Sequence, residues 1–401
     1  MDLLLQFGYG MMEHSRALLA ACGGGGVILS PRDMNYGQMR ALAGDIRAGG
    51  GTVYLDPQFY LPHADHARLV SHAYWPDDYE SGGFWAGAPV ARLLQELRRM
   101  NGELDCTRFI VPGVHAEALD EHWLMRQRAF VSGSLDLGVG QTDLFATVSL
   151  GAEVVRNIHQ VSEVLEEGRR WEVGGIYLVC EHPNGDYLVR DPIWVANVLE
   201  LAAGFRIQGK QVILGYCNHQ MLAAGCSAAN AIASGTWMNV RSFPPEKFRS
   251  AYDEEIRRKT TWYYCPRSLS EYKIPTLDIA MLQGVLDEMA PSPQLGSEYA
   301  DILFEGAQPS TVGFGESSAF RHYLKSLHGQ AAASRLATYE ETIAAQREAL
   351  DGAEGLLTRL HAAGVRGQLR DFSECVEASR SALDVLQNRR GPLLRRRWTQ
   401  L

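Results

Sequence analysis

The sequence lacks the features that mark several large classes of protein. Its seven cysteines are scattered and form no C-x-x-C pair, which argues against a structural zinc site and favours a reduced, cytoplasmic compartment. There is no signal-peptide pattern and no apolar run of about 20 residues, so we expect no membrane association. No G-x-G-x-x-G follows the first apolar run, which disfavours a dinucleotide-binding fold. A net charge of −9 over 401 residues argues against a protein wrapped in nucleic acid.

Short β-rich runs alternate with helical patterns along residues 1–245. Because a helix between two strands acts as a crossover, such strands are expected to pair in parallel. Eight units of this kind predict a (β/α)₈ TIM-type barrel, and an open doubly wound sheet is the alternative, since sequence order does not show closure. The predicted strands are 3–7, 27–29, 52–55, 109–111, 144–148, 176–179, 212–214 and 231–233, with helices at 11–22, 39–46, 90–100, 152–168 and 194–203.

The regular alternation is interrupted at about residues 61–88, which predict a long insertion after the third strand. Its aromatic content argues against disorder. His63, His66 and His72 lie in it, but their spacing is not a typical metal-binding pattern, and the H-x-H of many metal-dependent barrel hydrolases is missing near the first strand. We therefore expect exposed loop histidines, no metal site and no cofactor.

Residues 246–401 predict a mainly helical C-terminal extension. A charged helix is expected at 246–259, and helices are expected from about 317 to 390. The arginines at 389–390 and 395–397 form a basic end, which is either a solvated helix terminus or a contact for nucleic acid or an acidic protein partner. Breaks between the helices are expected at Gly352, Gly355, Gly364 and Gly367.

Polar residues just past the strands are the candidates for chemistry, because the carboxyl ends of barrel strands converge on one pocket. Two carboxylates that face one glycosidic bond are enough to cleave or exchange it. By this rule the candidate catalytic residues are Asp33, Asp56 and Glu181, and the candidate substrate-binding residues are Gln58, Tyr60, His182, Asn218, His219, Ser234, Trp237, Asn239 and Arg241.

Several of these residues also fit a purely structural role. Asp33 fits a helix cap or a salt bridge with the arginine before it. Asp56 precedes a proline, and an Asp-Pro step often starts a turn. Asn218 and His219 fit helix capping, and Glu181 with the following histidine fits a polar pair on the rim.

Residues 54–60, with the sequence Tyr-Leu-Asp-Pro-Gln-Phe-Tyr, resemble a motif of the tRNA-guanine transglycosylase superfamily of barrels, which exchange guanine for a 7-deazaguanine. The layout of residues 214–241 is similar to the last two strands of that family. The resemblance implies a barrel that exchanges or inserts a base at an N-glycosidic bond of a nucleic acid or nucleotide. It places Asp56 at the base-binding position and Arg241 near the family's arginine.

The sequence also departs from that family. The family's nucleophilic aspartate falls near Ser234, and the zinc motif C-x-C-x-x-C is missing. The resemblance therefore implies a zinc-free member whose nucleophile is Asp33, Glu181 or no residue at all. Two alternatives stay open: another barrel hydrolase or lyase that uses Glu181, His182 and His219, or a catalytically inactive barrel that binds a partner in a nucleic-acid-modification or antiviral defence system. A homodimer is compatible with each of these functions.

Overall fold

The computed structural model describes residues 1–61, 63–77, 83–85, 87–252, 260–293 and 295–401. The predicted insertion lies largely within these ranges. Of the charged helix predicted at 246–259, the first residues form a 3₁₀ helix, Pro245–Phe248, and residues 253–259 lie outside the described residues.

Among the described residues, nine strands form one sheet and two form a separate hairpin. Eight strands of the sheet follow the order β3-β2-β1-β9-β8-β7-β6-β4, the short β5 pairs with β6, and all of these pairs are parallel. The predicted α/β class is therefore confirmed. The strands are β1 Asp2–Gln6, β2 Gly26–Leu29, β3 Thr52–Leu55, β4 Phe109–Val111, β5 His115–Ala116, β6 Leu144–Leu150, β7 Gly175–Cys180, β8 Gln211–Leu214, β9 Ala231–Ser234, β10 Trp262–Cys265 and β11 Ser270–Lys273.

The strand order places the first strand of the chain beside the last strand of the sheet, with Leu5 opposite Ser234. A doubly wound sheet instead places the fourth strand beside the first. The ends of the path, β3 and β4, are bridged at Thr107, whose N–H donates to the Val53 carbonyl at 2.7 Å and whose hydroxyl accepts from the Val53 N–H at 3.1 Å.

The sheet is curled around an apolar interior. Leu4, Ile28 and Tyr177 belong to one inner cluster, although β2 and β7 are far apart in the strand order. Leu3 and Leu5, the neighbours of Leu4, belong instead to the outer cluster with the helices. This alternation follows from the two-residue period of a strand, and it explains why the strands are apolar on both faces.

Helices fill most of the gaps between successive strands. Asn35 and Gln38 form a capping box at the start of α2. Residues 152–168 are divided into two helices, because Asn157 accepts hydrogen bonds from the first N–H groups of the second one. In the described ranges we find no helix with the length and apolar character needed to cross a bilayer. The α-helices are α1 Met11–Cys22, α2 Tyr36–Ala48, α3 Ala67–Val70, α4 Ala88–Glu103, α5 Glu121–Leu135, α6 Ala152–Arg156, α7 Ile158–Arg169, α8 Pro192–Ile207, α9 Ile274–Leu282, α10 Glu316–Ala333, α11 Tyr339–Ala362, α12 Ser373–Arg389 and α13 Gly391–Arg397.

The region after residue 246 is not helical throughout, since β10 and β11 form an antiparallel hairpin. Two of the expected helix breaks are wrong: Gly352 and Gly355 lie inside α11. Gly364 and Gly367 do lie between α11 and α12. Leu199 of α8 and Leu383 of α12 belong to the same hydrophobic cluster, so the two parts of the chain share a core.

Candidate active site

Asp56, directly after β3, is the centre of a buried hydrogen-bond network at the carboxyl edge of the sheet. The hydroxyl of Tyr60 lies 2.9 Å from each of its carboxylate oxygens, and the hydroxyl of Tyr216 donates to Oδ2 at 2.7 Å. The Tyr177 hydroxyl donates to Gln6 Oε1 at 2.9 Å and lies 3.4 Å from Asp56 Oδ2. Three tyrosines, one within β7 and the others after β3 and β8, thus converge on one carboxyl group.

Gln58 fixes the geometry of this network. Its N–H donates to Asp56 Oδ1 at 2.9 Å, and its amide Nε2 donates to Ser30 Oγ at 2.8 Å and to the Tyr216 hydroxyl at 3.1 Å. Gln58 and Tyr216 have φ angles of 54° and 55°, in the left-handed region that non-glycine residues rarely occupy. Such strain is commonly found at functional sites, where the surrounding contacts maintain it. We call Asp56, Gln58, Tyr60, Tyr177 and Tyr216 the Asp56 cluster.

Asp33 is joined to the Asp56 cluster by hydrogen bonds. The Ser30 hydroxyl donates to Asp33 Oδ2 at 2.7 Å and accepts from Gln58. Arg32 Nη1 donates to Asp33 Oδ1 at 2.9 Å, and the Arg32 N–H donates to Gln58 Oε1 at 2.9 Å. Asp33 therefore forms the salt bridge with Arg32 that the sequence allowed as its structural role. It is also connected with Asp56 through Ser30 and Gln58.

The protonation of Asp56 is set mainly by its burial. Burial raises the pKa of Asp56 above its ordinary value, although the hydroxyl of Tyr216, the N–H of Gln58 and the charge of Lys247 oppose the shift. A carboxyl group with a raised pKa keeps its proton up to a higher pH than an exposed aspartate does, which favours a role in giving and taking a proton.

The segment after β9 covers the cluster. The ring of Phe243 lies 4.9 Å from that of Tyr60, and the ring of Phe248 lies 5.1 Å from it. Lys247 Nζ lies 4.0 Å from the centre of the Tyr216 ring and donates to the Asn239 carbonyl at 2.9 Å. Asp56 itself is fully buried, and residues 243–248 pack against the tyrosine rings that contact it.

The third predicted acid, Glu181, has different neighbours. It lies 3.5 Å from His115 Nε2, and its carboxylate accepts from the Ala152 N–H at 3.2 Å. Burial alone would raise the pKa of Glu181, but the hydrogen bond and charge of His115 lower it below its ordinary value. His182 Nδ1 lies 2.9 Å from the Asp186 carbonyl oxygen, and its ring packs edge-on against Trp194.

A second buried network surrounds Glu271 of β11. The Tyr187 hydroxyl donates to Glu271 Oε1 at 2.7 Å, and Oε2 lies 3.2 Å from Arg241 Nη1 and 2.6 Å from Arg370 Nη1. Arg241 also stacks on Tyr323, with its guanidinium carbon 3.4 Å from the ring centre. Burial by itself would raise the pKa of Glu271, but the two arginines lower it to about 2. The predicted ligand-binding Arg241 thus holds a carboxylate of this chain.

Asn218 and His219 lie near this second network. Asn218 Nδ2 donates to the Tyr187 carbonyl at 2.6 Å, and its Oδ1 accepts from the Gln220 N–H at 2.8 Å at the start of the 3₁₀ helix His219–Ser227. The capping role considered for Asn218 is therefore present. Burial lowers the pKa of His219 to about 4, and the ring lies 4.9 Å from that of Tyr264.

The remaining predicted residues lie along the chain that leaves β9. Ser234 is fully buried at the end of that strand. Trp237 Nε1 donates to the Tyr9 carbonyl at 3.0 Å, and its ring packs on Phe320. Asn239 contributes its carbonyl to Lys247.

The histidines of the insertion do not form a common site. His72 is buried, and its Nε2 lies 2.9 Å from the Pro31 carbonyl oxygen and 3.2 Å from that of Met34. The expectation that it is an exposed loop histidine is wrong, because it anchors the insertion to the loop after β2. Within the described part of the chain, no group of three or more His, Cys, Asp or Glu side chains is placed to hold a metal ion.

Several residues of these networks were not among the sequence candidates, and four of them show why. Tyr177 lies inside β7, so a search of the residues that follow each strand does not include it. Its signal in the sequence is a tyrosine within an apolar strand, because a buried tyrosine hydroxyl needs a hydrogen-bond partner. Tyr216 follows β8 within two residues and fits the rule. Glu271 and Arg370 lie beyond the parallel sheet, and we find no sequence signal that pairs them with Arg241.

Comparison with known proteins does not assign the chain to a family. No family model matches the chain, and a search of curated proteins gave no match.

Proposed function

We propose that the protein is a transglycosylase-like enzyme that exchanges or inserts a (7-deaza)guanine-type base at an N-glycosidic bond of a nucleic acid or nucleotide. The proposal includes closure of the curled sheet as a (β/α)₈ barrel, with Thr107 and Val53 at the seam. The Asp56 cluster is the observation that carries it. A buried carboxyl group with a raised pKa, three tyrosine hydroxyls and two strained backbone positions meet at the carboxyl edge of a parallel sheet.

In this proposal Asp56 contacts the edge of the base. As the bond between the sugar carbon and the base nitrogen breaks, Asp56 gives its proton to the departing base, and the carboxylate of Asp33 bonds to the sugar carbon. The incoming base then displaces Asp33, and its proton returns to Asp56. Asp33 is placed in the second role because it shares the hydrogen-bond network of Asp56 and is paired with Arg32. Glu181 is the alternative for that role.

The aromatic residues of the cluster and its cover support a flat ligand. Tyr60 and Tyr216 donate hydrogen bonds to the carboxyl group, and Phe243 packs against both of their rings. Flat heterocycles are bound by stacking together with hydrogen bonds to their edges. For a base to enter, Phe243 and Phe248 must swing away.

The alternative enzyme that uses Glu181, His182 and His219 is less well supported. Glu181 contacts His115, His182 is held by Asp186 and Trp194, and His219 lies beside Tyr264. Glu181 and His182 act on each other's pKa through their charges, but among the described residues no hydrogen bond or ion pair connects either of them with His219.

The test is incorporation of isotope-labelled guanine or 7-deazaguanine into RNA, DNA or nucleosides, detected by mass spectrometry. We expect Asp56→Asn to lower the exchange rate by roughly 10²- to 10⁴-fold, the range typical of a lost proton donor. Asp33→Asn and Glu181→Gln decide between the two possible nucleophiles. Absence of exchange with every substrate, despite saturable binding of the base, would instead favour the binding-module alternative.

A further inference from the structure

Three polar side chains from neighbouring strands meet at the carboxyl edge of the sheet, beside the Asp56 cluster. His115 of β5 is paired with Ser149 of β6, and its ring nitrogen Nδ1 lies 2.9 Å from the Ser149 hydroxyl oxygen. Glu181 follows β7, and its N–H donates to the Leu150 carbonyl at 2.9 Å, which continues the pairing of β7 with β6. The parallel register therefore brings a hydroxyl, an imidazole and a carboxylate together.

Glu181 is the accessible member of this group. Its side chain is 34% exposed, whereas that of His115 is 2% exposed and Ser149 is fully buried. Glu181 Oε2 accepts from the Ala152 N–H at 3.2 Å and lies 3.5 Å from His115 Nε2. Glu181 Oε1 has no hydrogen bond to any described residue and is not buried. One carboxylate oxygen is thus held by the protein, and the other is open to a ligand.

The contacts of His115 select the hydrogen positions on its ring. A hydrogen on Nε2 is attracted by the Glu181 carboxylate, whereas a bare nitrogen at that place would be repelled by it. In the neutral ring Nδ1 then accepts from the Ser149 hydroxyl, because a neutral imidazole has one donor and one acceptor. Ser149 therefore orients His115, and His115 orients Glu181.

The same contacts keep Glu181 ionised. Burial would raise the pKa of Glu181, but the hydrogen bond and charge of His115, the Ala152 N–H and the charge of His182 lower it below its ordinary value. The pKa of Asp56 is shifted in the opposite direction, mainly by burial. Two carboxyl groups with opposite shifts are suited to different roles, one as a proton donor and the other as an ionised nucleophile.

His115 also connects Glu181 with the Asp56 cluster. The His115 N–H donates to the Tyr60 carbonyl at 2.8 Å, and the hydroxyl of Tyr60 contacts Asp56. The ring of His115 lies 5.6 Å from that of Phe243, which packs on Tyr60 at 4.9 Å. Glu181 and Asp56 therefore belong to adjoining parts of the same edge of the sheet.

We propose that Ser149 and His115 are positioning residues that hold Glu181 in place to bond to the sugar carbon through Oε1. The inference rests on the proposed function, and accessibility favours Glu181 over Asp33, whose side chain is 8% exposed and has both oxygens engaged. As the bond from the carbon to the base nitrogen breaks, the departing base takes the proton of Asp56. The incoming base then displaces the Glu181 carboxylate, and its proton returns to Asp56.

Base-exchange kinetics of the full chain test the positioning roles. His115→Phe keeps a ring without nitrogens, and we expect it to lower kcat about tenfold or more with KM within about threefold, because substrate binding does not use the lost contact. His115→Gln offers a donor near the place of Nε2 and should recover most of the rate. Ser149→Ala should lower kcat about three- to tenfold, whereas Ser134→Ala, at an equally buried serine in α5, should leave it within about twofold.

Nitrogen NMR of the histidine rings tests the positioning without any substrate. The signals of His115 are identified by their absence in His115→Gln. We expect them to show a hydrogen on Nε2 in the unmodified protein, and we expect Ser149→Ala to give a mixture of ring forms. A bare Nε2 in the unmodified protein overturns the inference, whether or not base exchange is found.

The failure of this inference is distinguishable from that of the proposed function. Exchange that Asp33→Asn abolishes, but that Glu181→Gln and His115→Phe leave unchanged, overturns the positioning roles and leaves the proposed function in place. If His115→Phe does not fold, Ser149→Ala compared with Ser134→Ala supplies the same test. No exchange by the unmodified protein on any substrate removes the proposed function, and with it the role of Glu181 at the sugar carbon.

Discussion

Glu271 is a carboxylate only 2% exposed, and it is held by Tyr187, Arg241 and Arg370. Its pKa of about 2 in the folded protein lies below the ordinary value of 4.5. A depressed pKa means that the unfolded chain binds the proton more readily than the folded one. The stabilisation from Glu271 is therefore fully present above pH 4.5 and is lost as the pH falls towards 2.

We predict that Glu271→Gln destabilises the protein by about 3–5 kcal/mol at pH 7, because the buried guanidinium of Arg241 and the partly buried one of Arg370 lose their counter-charge. The free energy of unfolding, measured by urea denaturation between pH 7 and pH 3, should show the difference from the unmodified protein shrinking as the pH falls below the ordinary pKa of Glu271. A difference that is constant with pH would contradict this role of the charge.

Glu288 is the matched control for this prediction. It pairs with Arg359 at 2.6 Å, but its side chain is 36% exposed. Glu288→Gln should cost less than about 1 kcal/mol, since exposed ion pairs contribute little.

Individual site residues were predictable from the sequence only where they follow a strand of the parallel sheet. Asp56, Gln58 and Tyr60 follow β3 directly, and the structure brings them together. Glu271 could not be found in this way, because it lies on a hairpin whose partners, Arg241 and Arg370, are brought to it by tertiary packing.

At the scale of elements, the strands were predictable because each is a short apolar run between polar ends.

The helix breaks expected within α11 were wrong for a physical reason. Glycine costs a helix only about 1 kcal/mol relative to alanine. α11 gains more than this from the capping box of Thr338 and Glu341 and from the buried face that includes Leu350 and Leu357. The positions of the glycines in the sequence do not show how much stability α11 gains from packing against the rest of the protein.

We predict that Gly44→Ala stabilises the protein by up to about 1 kcal/mol, since Gly44 is an exposed position inside α2 and an added methyl group meets nothing within 4 Å. Thermal and urea unfolding measure the change.

Gly23→Ala is the control, and we expect it to change the stability in the opposite direction. Gly23 ends α1 with a φ of 70°, and the space around it is equally open. Alanine is strained at that angle, so this variant should lose stability although it adds the same methyl group. If both variants stabilise the protein, backbone conformation is not what separates them.

At the scale of the whole molecule, the basic C-terminal segment is docked on the rest of the chain. Arg390 pairs with Glu200 of α8 at 2.6 Å, and Arg397 donates to the Ile207 carbonyl at 2.8 Å. Trp398 is buried, and its Nε1 donates to the Leu336 carbonyl at 3.0 Å. Contact of this segment with nucleic acid or an acidic partner stays a prediction.

Trp398→Ala is expected to destabilise the whole protein by about 3–5 kcal/mol, because the change leaves a cavity beside Tyr339 and removes the anchor of the segment. A single unfolding transition at a lower urea concentration should be observed. Leu393→Ala, at a position 39% exposed, should cost less than about 1 kcal/mol. Equal losses in the two variants would show that the segment does not depend on the buried indole.

The pairing of β1 with β9 has a consequence for biosynthesis. Asp2 of β1 lies opposite Ala231 of β9, so β1, once it has left the ribosome, waits for a partner that is translated on the order of tens of seconds later. During that interval the nascent chain presents Leu3, Leu4 and Leu5 without their final neighbours. Chaperone binding to ribosome-bound intermediates should therefore persist until β9 has emerged from the exit tunnel.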